Sequence, residues 1–300
     1  MINGIINIYK EKGYTSHDVV ARLRGICKQK KIGHTGTLDP DAQGVLPVCF
    51  GSATRLCEML TEKEKEYIAT MQLGLTTDTQ DSSGIVLERR DVAVSEIEIR
   101  NVIAGFCGIQ KQIPPMYSAI KVNGKKLYEL ARAGIEIERV PREITIHKIE
   151  ILSVEQCEIK MKVSCSKGTY IRTLCHDIGQ ALGCGAIMTE LCRTRSGQFG
   201  LEEALLLSQI EQFVQEGTID QHCITTEEVF ALLSPVYMKE EFNRLLHNGN
   251  KFQALCIQGE SESDDLQEVR AYDSLGNFWG IYQYCELSDC YKPVKMFPQS

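Results

Sequence analysis

One aspartate, Asp39, has the surroundings in the sequence that a reactive carboxylate needs. It lies in residues 33–47, which hold three glycines, two threonines, a histidine and a second aspartate, and Pro40 follows it directly. Glycine adopts backbone conformations closed to other residues, and a residue before proline is held away from the helical region. We therefore expect a fixed, exposed corner that presents this carboxylate. The alternative is a surface turn whose polar side chains bind only local amides.

The same stretch carries a long family pattern. Residues 33–47 read G-H-T-G-T-L-D-P-D-A-Q-G-V-L-P and continue as V-C-F-G-S-A-T-R. This resembles the signature G-H-T-G-x-L-D-P-x-A-x-G-x-L-P of the bacterial TruB-type tRNA pseudouridine synthases. The resemblance implies that Asp39 is catalytic and that the chain isomerises uridine to pseudouridine in the T loop of tRNA, at position 55. In that reaction the bond from ribose C1′ to base N1 is cleaved, the base rotates, and C1′ is joined to C5.

Two further motifs resemble the same family. Residues 65–67, followed by a Thr/Asp run, resemble the motif whose tyrosine forms the floor of the uridine pocket, and this implies that Tyr67 stacks on the target base. Residues 166–172, S-K-G-T-Y-I-R, resemble a third motif. The resemblance implies that Arg172 pairs with Asp39, and that Tyr170 and Leu191 complete the wall of the base pocket. Because Tyr170 and Arg172 are two positions apart, we expect an extended segment in which both face the same side.

The resemblance leaves parts of the mechanism open. Asp39 either attacks the sugar or removes a sugar proton, and the group that accepts the C5 proton is not identified. Tyr67 is one candidate for that acceptor, although a phenol with an ordinary pKa of about 10 is a poor base at neutral pH. The closing motif L-R-R-x-x-x-G-x-F has Cys192 where its first arginine is common, so no contact of that arginine is carried over.

Residues predicted to bind RNA surround these motifs. His34 resembles the family residue that inserts beside flipped bases, the alternative being a loop histidine bonded to backbone. Residues 107–142 resemble an insertion that grips the T stem and loop, and basic side chains interleaved with tyrosines suit such a surface. The RNA contacts predicted in that insertion are Tyr117, Lys121, Tyr128 and Arg132, and those predicted elsewhere are Lys10, Thr35, Thr37 and Arg55.

The order of apolar segments predicts an α+β protein of two domains. Short alternating runs typical of strands are interspersed with amphipathic helices, such as one capped by Thr15 and another capped by Ser95. With the resemblance, this implies a mixed, largely antiparallel pseudouridine-synthase-like sheet flanked by helices. We expect residues 1–232 to form the catalytic domain and residues 235–300 to form a small β-rich, PUA-like domain that binds RNA.

The distribution of charge favours a polyanionic partner for the first two thirds of the chain. The net charge is −7, but residues 1–200 hold 27 Lys and Arg against 23 Asp and Glu, a net of +4. Residues 201–300 hold 6 against 17, a net of −11. An RNA would therefore be drawn to the first part, while the acidic remainder limits nonspecific binding.

The sequence gives no support to several other classes of protein. Thirteen cysteines occur without a C-x-x-C pair, which argues against a zinc site or a disulfide framework. There is no nucleotide-binding G-x-x-x-x-G-K-[ST] motif and no apolar run long enough for a membrane span. We expect a cytoplasmic monomer that needs no metal, cofactor, membrane or obligate protein partner. The alternatives are a tRNA-binding or folding chaperone in which catalysis is secondary, and a phosphate-binding hydrolase built on the glycine loop.

Overall fold

The Asp39 loop connects two strands of a large mixed sheet. The structure is a computed structural model that describes residues 1–122, 124–259 and 267–297. In these residues the strands are β1 (Gly4–Lys10), β2 (Ile32–His34), β3 (Gln43–Phe50), β4 (Lys65–Leu73), β5 (Leu75–Thr77), β6 (Val86–Arg89), β7 (Gly108–Gln112), β8 (Lys121–Val122), β9 (Lys125–Lys126), β10 (Arg142–Glu155), β11 (Glu158–Cys165), β12 (Ala186–Ser196), β13 (Phe199–Gly200), β14 (Ser234–Tyr237), β15 (Phe252–Gln253), β16 (Glu268–Tyr272), β17 (Phe278–Cys285) and β18 (Cys290–Met296).

The helices are mostly short. They are α1 (Ser16–Ile26), α2 (Cys57–Thr61), α3 (Glu96–Ala104), α4 (Leu127–Arg132), α5 (Ile171–Ala181), α6 (Leu207–Glu216) and α7 (Asn243–His247). Thr15 and Ser95 cap α1 and α3 as predicted, each in a reciprocal capping box with an acidic residue, Asp18 or Glu98. Within the described part of the chain, every helix is too short or too polar to cross a lipid bilayer.

The main sheet combines a parallel pairing of β3 and β12 with a long antiparallel run. Its strand order is β1-β3-β12-β4-β11-β10-β7, with β2 beside β3 and β13 beside β12. Strand β12 runs parallel to β3 and antiparallel to β4, and the pairs β4-β11, β11-β10 and β10-β7 are antiparallel. Helix α5 packs against β12. The predicted α+β class with a largely antiparallel mixed sheet is confirmed.

The chain forms two compact units. The first consists of Ile6–Val48 and Cys57–Gly217 and holds most of the main sheet. The second consists of Met1–Ile5, Cys49–Leu56 and Thr218–Ser300. Its described residues form a sheet of order β14-β16-β17-β18-β15 over a core that includes Met238, Tyr282 and Tyr291. A β-rich C-terminal part is therefore confirmed, while its RNA binding and the domain limits at 232 and 235 stay predictions.

Candidate active site

The carboxylate of Asp39 forms an ion pair with Arg172, which is 133 residues further along the chain. Arg172 Nε lies 3.0 Å from Asp39 Oδ2, and Arg172 Nη2 donates to Asp39 Oδ1 at 3.4 Å. The arginine side chain is only 6% exposed, whereas the aspartate side chain is 41% exposed. The pair thus combines a buried, fixed cation with a carboxylate that a ligand can reach from solvent.

Arg172 lies in the first turn of α5 and not in an extended segment, so that expectation was wrong. The helix begins at Ile171, and Tyr170 is the extended residue before it, with φ −98° and ψ 107°. The helical spacing of apolar residues begins at the first residue of α5. Its buried members are Ile171, Leu174, Cys175 and Ile178. Tyr170 and Arg172 are therefore neighbours on a helix start, and they do not share one face of a strand.

Arg172 also binds two other segments of the first unit. Its Nη1 donates to the carbonyl of Thr79 at 3.2 Å and to Asp81 Oδ2 at 3.4 Å, and its Nη2 donates to the carbonyl of Tyr117 at 2.8 Å. Asp81 is held in turn by the hydroxyls of Thr79 and Ser83, each at 2.6 Å. One guanidinium thus joins the Asp39 loop, the polar connection after β5 and the start of the insertion. Asp81 was not singled out from the sequence, although it lies in the Thr/Asp run that follows Tyr67.

Opposing charges act on the Asp39 carboxyl. Burial raises the pKa of Asp39 above the usual aspartate value, and the guanidinium of Arg172 acts against that rise. The nearby carboxylate of Asp81 raises the same pKa further, while the ammonium of Lys10 lowers it. The net effect is a pKa above the usual aspartate value. The fraction of Asp39 that is ionised therefore depends on the charges of Arg172, Asp81 and Lys10.

Lys10 and Thr35 have structural positions, which corrects the prediction that they contact RNA. Both residues are fully buried. The Lys10 ammonium donates to the carbonyls of Glu11, Tyr14 and Pro40, and burial lowers its pKa to about 8. The Thr35 hydroxyl donates to the carbonyl of Pro47 at 3.2 Å. Because these polar groups are hydrogen-bonded to backbone carbonyls inside the protein, they hold the Asp39 loop in place. Neither group is accessible to a phosphate.

Tyr67 and Leu191 lie in the core beside the ends of the Asp39 loop. Each is 8% exposed, and both belong to the same buried cluster as Leu38 and Ala42. In the register of β4 and β12, Tyr67 is opposite Arg193, and Leu191 is opposite Ala69. Directly opposed residues of neighbouring strands point to the same face, so Tyr67 and Leu191 share one side of the sheet.

Tyr170 is half-buried close to the ion pair. Burial raises the pKa of its phenol, and the charges of Asp39 and Arg172 both act on it. Its backbone is held by Gln112, whose amide donates to the Tyr170 carbonyl at 3.0 Å and accepts from the Tyr170 N–H at 2.8 Å. Gln112 was not identified from the sequence, because nothing in its local pattern indicates a partner 58 residues away.

His34 and Thr37 lie on the accessible side of the loop. Nδ1 of His34 is 3.1 Å from the carbonyl oxygen of Gly36, and its ring meets that of His17 edge-on with centroids 5.2 Å apart. Burial lowers the pKa of His34, which favours a neutral imidazole. Thr37 is exposed. The backbone contact considered as the alternative for His34 is present, and its insertion beside flipped bases stays a prediction.

The insertion displays cations around an aromatic ring. The ring of Tyr128 has the Lys126 ammonium 5.3 Å and the Arg132 guanidinium 5.5 Å from its centroid, distances at which cations are attracted to the ring face. Lys121 is exposed, and the Tyr117 hydroxyl donates to Asp78 at 3.4 Å. Arg55 belongs to the other unit, where its Nη1 donates to the carbonyl of Met296 at 3.3 Å.

Comparison with known proteins supports one family across the chain. Residues 24–171 match the family model of the TruB family pseudouridylate synthase N-terminal domain, and residues 172–237 match that of the tRNA pseudouridylate synthase B C-terminal domain. The tRNA pseudouridine synthase B of Lachnoclostridium phytofermentans is 54% identical over 99% of this chain and 100% of its own length. That of Clostridium perfringens strain SM101 is 47% identical over 93% of this chain and 94% of its own length.

Solved structures give the same result for the fold. A chain from a Cbf5-Nop10-Gar1 complex is 29% identical, with a TM-score of 0.74 over 99% of this chain and 87% of its own length. A chain from an H/ACA RNP bound to a substrate RNA containing 2′-deoxyuridine is 27% identical, with a TM-score of 0.73 over 99% of this chain and 85% of its own length.

The fold, the motifs and these matches define a pseudouridine synthase, an isomerase that converts uridine to pseudouridine in RNA. The chain belongs to the TruB family, whose members act on tRNA.

Proposed function

We propose that this enzyme converts the T-loop uridine at position 55 of tRNA to pseudouridine, with Asp39 as the reacting carboxylate. The observation that supports the proposal most strongly is the pairing of a 41% exposed Asp39 side chain with a 6% exposed Arg172. A reacting carboxylate must reach the ribose and must also stay ionised and oriented. Contacts to a buried guanidinium serve both needs, because charge-assisted hydrogen bonds contribute roughly 1.5–3 kcal/mol each.

The overall reaction conserves atoms and electrons. The C1′–N1 bond breaks, the freed uracil rotates, C1′ forms a bond to C5, C5 loses a proton and N1 gains one. Asp39 acts either as a nucleophile at the sugar or as a base that removes a sugar proton, and both routes require its ionised form. Arg172 holds that form in place, and Asp81 holds Arg172 from its other side.

Tyr67, Tyr170 and Leu191 form the apolar surroundings of the base in this proposal. The Tyr67 ring stacks on the uracil and supports it while it turns. Burial raises the pKa of the Tyr67 phenol, so its phenolate is scarce at neutral pH and stacking is its main role. Exclusion of water by these side chains protects the freed sugar from hydrolysis, which would compete with rejoining.

Binding requires the target base to leave the stack of the T loop, at a cost of a few kcal/mol. His34, as a neutral ring, replaces part of the lost stacking, which is worth roughly 1–3 kcal/mol per base. Lys121, Tyr128 and Arg132 of the insertion contact the T stem and loop, while Tyr117 links the insertion to Arg172 through its carbonyl. Thr37 and Arg55 are further RNA contacts, and the C-terminal sheet adds to RNA binding.

The proposal is tested by mapping pseudouridine in an unmodified tRNA transcript treated with the purified chain. Pseudouridine at position 55 and at no other uridine is the expected result, and a transcript with cytidine at that position is the matched control. We expect the chain to act alone as a monomer in the cytoplasm, so the assay contains no other protein. Pseudouridine at a different position, or its absence without an added protein, would contradict the proposal.

A further inference from the structure

Arg193 on β12 is a buried cation that the reaction described above does not use. It is 1% exposed and is the largest of the fully buried side chains. An arginine cannot lose its proton at accessible pH, so its burial has to be compensated by partners. In the described ranges, no carboxylate oxygen lies within 4.0 Å of a guanidinium nitrogen of Arg193, the distance that defines a salt bridge. A permanent positive charge is therefore kept in the core without a paired anion.

In the described residues, Arg193 has a carbonyl as its hydrogen-bond partner and a phenol close by. Its Nε donates to the carbonyl of Val45 at 2.7 Å. Burial raises the pKa of the Tyr67 phenol, and the nearby positive charge of Arg193 acts against that rise. Nη2 is buried without a hydrogen-bond partner in the described structure. The register explains why the two side chains are close, because Arg193 and Tyr67 are directly opposed across β12 and β4. Both residues therefore point to the same face of the sheet.

The backbone of Arg193 also touches the end of the Asp39 loop. Gly44 is paired with Arg193 across β3 and β12, and a Cβ at Gly44 would lie 2.2 Å from the Arg193 carbonyl oxygen. An ideal Cβ at Gly36 would lie 3.6 Å from Nη1 of Arg193. Arg193 thus lies between the loop that carries Asp39 and the ring proposed as the floor of the base pocket.

Within the described residues, two other buried cations have their ammonium groups hydrogen-bonded only to backbone carbonyls. The ammonium of Lys10 donates to three backbone carbonyls, and that of Lys65 donates to the carbonyls of Thr61 and Lys63. Arg193 differs in having a buried donor without a partner and in lying opposite a tyrosine of the site. A well-packed apolar side chain often replaces a buried ion without loss of stability. A buried arginine with an unpartnered donor at this position therefore points to a role other than stability.

We propose that Arg193 is a positioning residue for Tyr67. Its guanidinium donates to the phenolic oxygen and so fixes the rotation of the ring on which the uracil stacks. Because the phenolic oxygen accepts this bond, the phenolic proton is directed away from Arg193. The inference rests on the proposed role of Tyr67 at the base. It adds a second residue of β12 to the active site beside Leu191, one that does not itself touch the RNA.

The test is a double-mutant cycle of Tyr67→Phe and Arg193→Met, read as single-turnover rates at saturating enzyme. We expect each single change to slow the reaction by about 10- to 100-fold, the effect of losing one charge-assisted bond, with tRNA binding within twofold of wild type. The double variant should then be as slow as the single variants within about twofold, because both changes remove the same contact. Lys65→Met, which removes a buried cation hydrogen-bonded to the backbone carbonyls of Thr61 and Lys63, should leave the rate unchanged.

Independent losses that multiply in the double variant would overturn the inference, as would a folded Arg193→Met with a wild-type rate. If Arg193→Met does not fold, Arg193→Lys enters the same cycle, since it keeps the charge but loses the forked donor geometry. Asp39→Asn measured alongside separates the two proposals. Its full activity would reject the proposed reacting carboxylate, whereas multiplying losses at positions 67 and 193 with an inactive Asp39→Asn would reject only the role of Arg193.

Discussion

The side-chain amide of Gln112 brackets the backbone of Tyr170, donating to its carbonyl at 3.0 Å and accepting from its N–H at 2.8 Å. Tyr170 has no side-chain cap of its own for α5. Gln112 therefore fixes the residue from which the helix starts, and Arg172 follows two residues later. The last residue of β7 in this way sets the position of the guanidinium that holds Asp39.

Gln112→Ala should slow pseudouridine formation without weakening tRNA binding. Loss of the amide leaves the N–H of Tyr170 unpaired, which costs roughly 1–3 kcal/mol and loosens the start of α5. The Tyr170 carbonyl keeps its bond from the Leu174 N–H at 3.0 Å. We expect a loss of about tenfold or more in single-turnover rate, measured against tRNA affinity by filter binding. Gln110→Ala, a change on the same strand at a side chain away from Tyr170, is the matched control. Equal rates for wild type and Gln112→Ala would show that Arg172 keeps its place without this contact.

Asp81→Asn should move the acidic limb of the pH–rate profile to lower pH. Turnover requires ionised Asp39, and the negative charge of Asp81 raises the pKa of that carboxyl. Removal of the charge lowers the pKa, so a larger fraction of Asp39 is ionised on the acidic side. Single-turnover rates between about pH 4 and pH 8 report the midpoint of this limb, and the usual aspartate pKa of about 3.9 lies just below that range. Asp41→Asn, which removes a weaker influence of the same sign, should give a smaller shift.

An acidic limb that stays in place or moves to higher pH in Asp81→Asn would contradict this electrostatic coupling. The limiting rate should also fall, because Arg172 loses one of its two acidic partners.

Gly44→Ala should destabilise the fold strongly. Gly44 has φ +104°, and a Cβ there would lie 2.2 Å from the carbonyl oxygen of Arg193 and 2.9 Å from its nitrogen. Backbone strain and overpacking together predict a loss of about 3 kcal/mol or more in the free energy of unfolding, measured by denaturant titration. Gly13→Ala is the control for backbone strain alone, because Gly13 has φ +92° but nothing lies within 4 Å of a Cβ there. The difference between the two variants measures the cost of the clash at Gly44. Similar losses for the two variants would mean that close approach to β12 is unimportant.

Arg132→Ala should weaken tRNA binding while leaving the rate at saturating tRNA unchanged. The guanidinium lies over the Tyr128 ring on an exposed helix, remote in sequence from the reacting groups. If it contacts a phosphate, its loss reduces the slope of log affinity against log salt by about 1. Arg100→Ala, which removes an exposed arginine paired with Glu96 on α3, controls for net charge. An unchanged salt slope would place Arg132 outside the RNA contact.

The sequence predicted the parts of the site that depend on local pattern. The glycine-rich loop around Asp39, the caps at Thr15 and Ser95, and the pairing of Asp39 with Arg172 all agree with the structure. The pairing came from the family resemblance, since no local rule connects residues 133 positions apart. These features could be predicted because each is encoded by a short, continuous run of residues.

The features that were missed depend on which distant groups converge. Nothing near Lys10 in the sequence shows that three carbonyls meet its ammonium, so it was assigned to the RNA-binding surface. Likewise, Arg193 lies opposite Tyr67 only because β12 and β4 pair in one particular register. The start of α5 at Ile171 was the exception, because the apolar spacing from Ile171 to Ile178 was present in the sequence and could have located it.

The central claim is that the carboxylate of Asp39 reacts with the ribose while Arg172 holds it. The most direct measurement is the release of tritium from tRNA labelled at C5 of uridine, in a single turnover with Asp39→Asn and with Asp41→Asn. Asp41 is an exposed carboxylate two residues away in the same loop. The account predicts that Asp39→Asn binds tRNA normally and releases no tritium above background, while Asp41→Asn releases it at close to the wild-type rate. Release by Asp39→Asn at the wild-type rate would contradict the account.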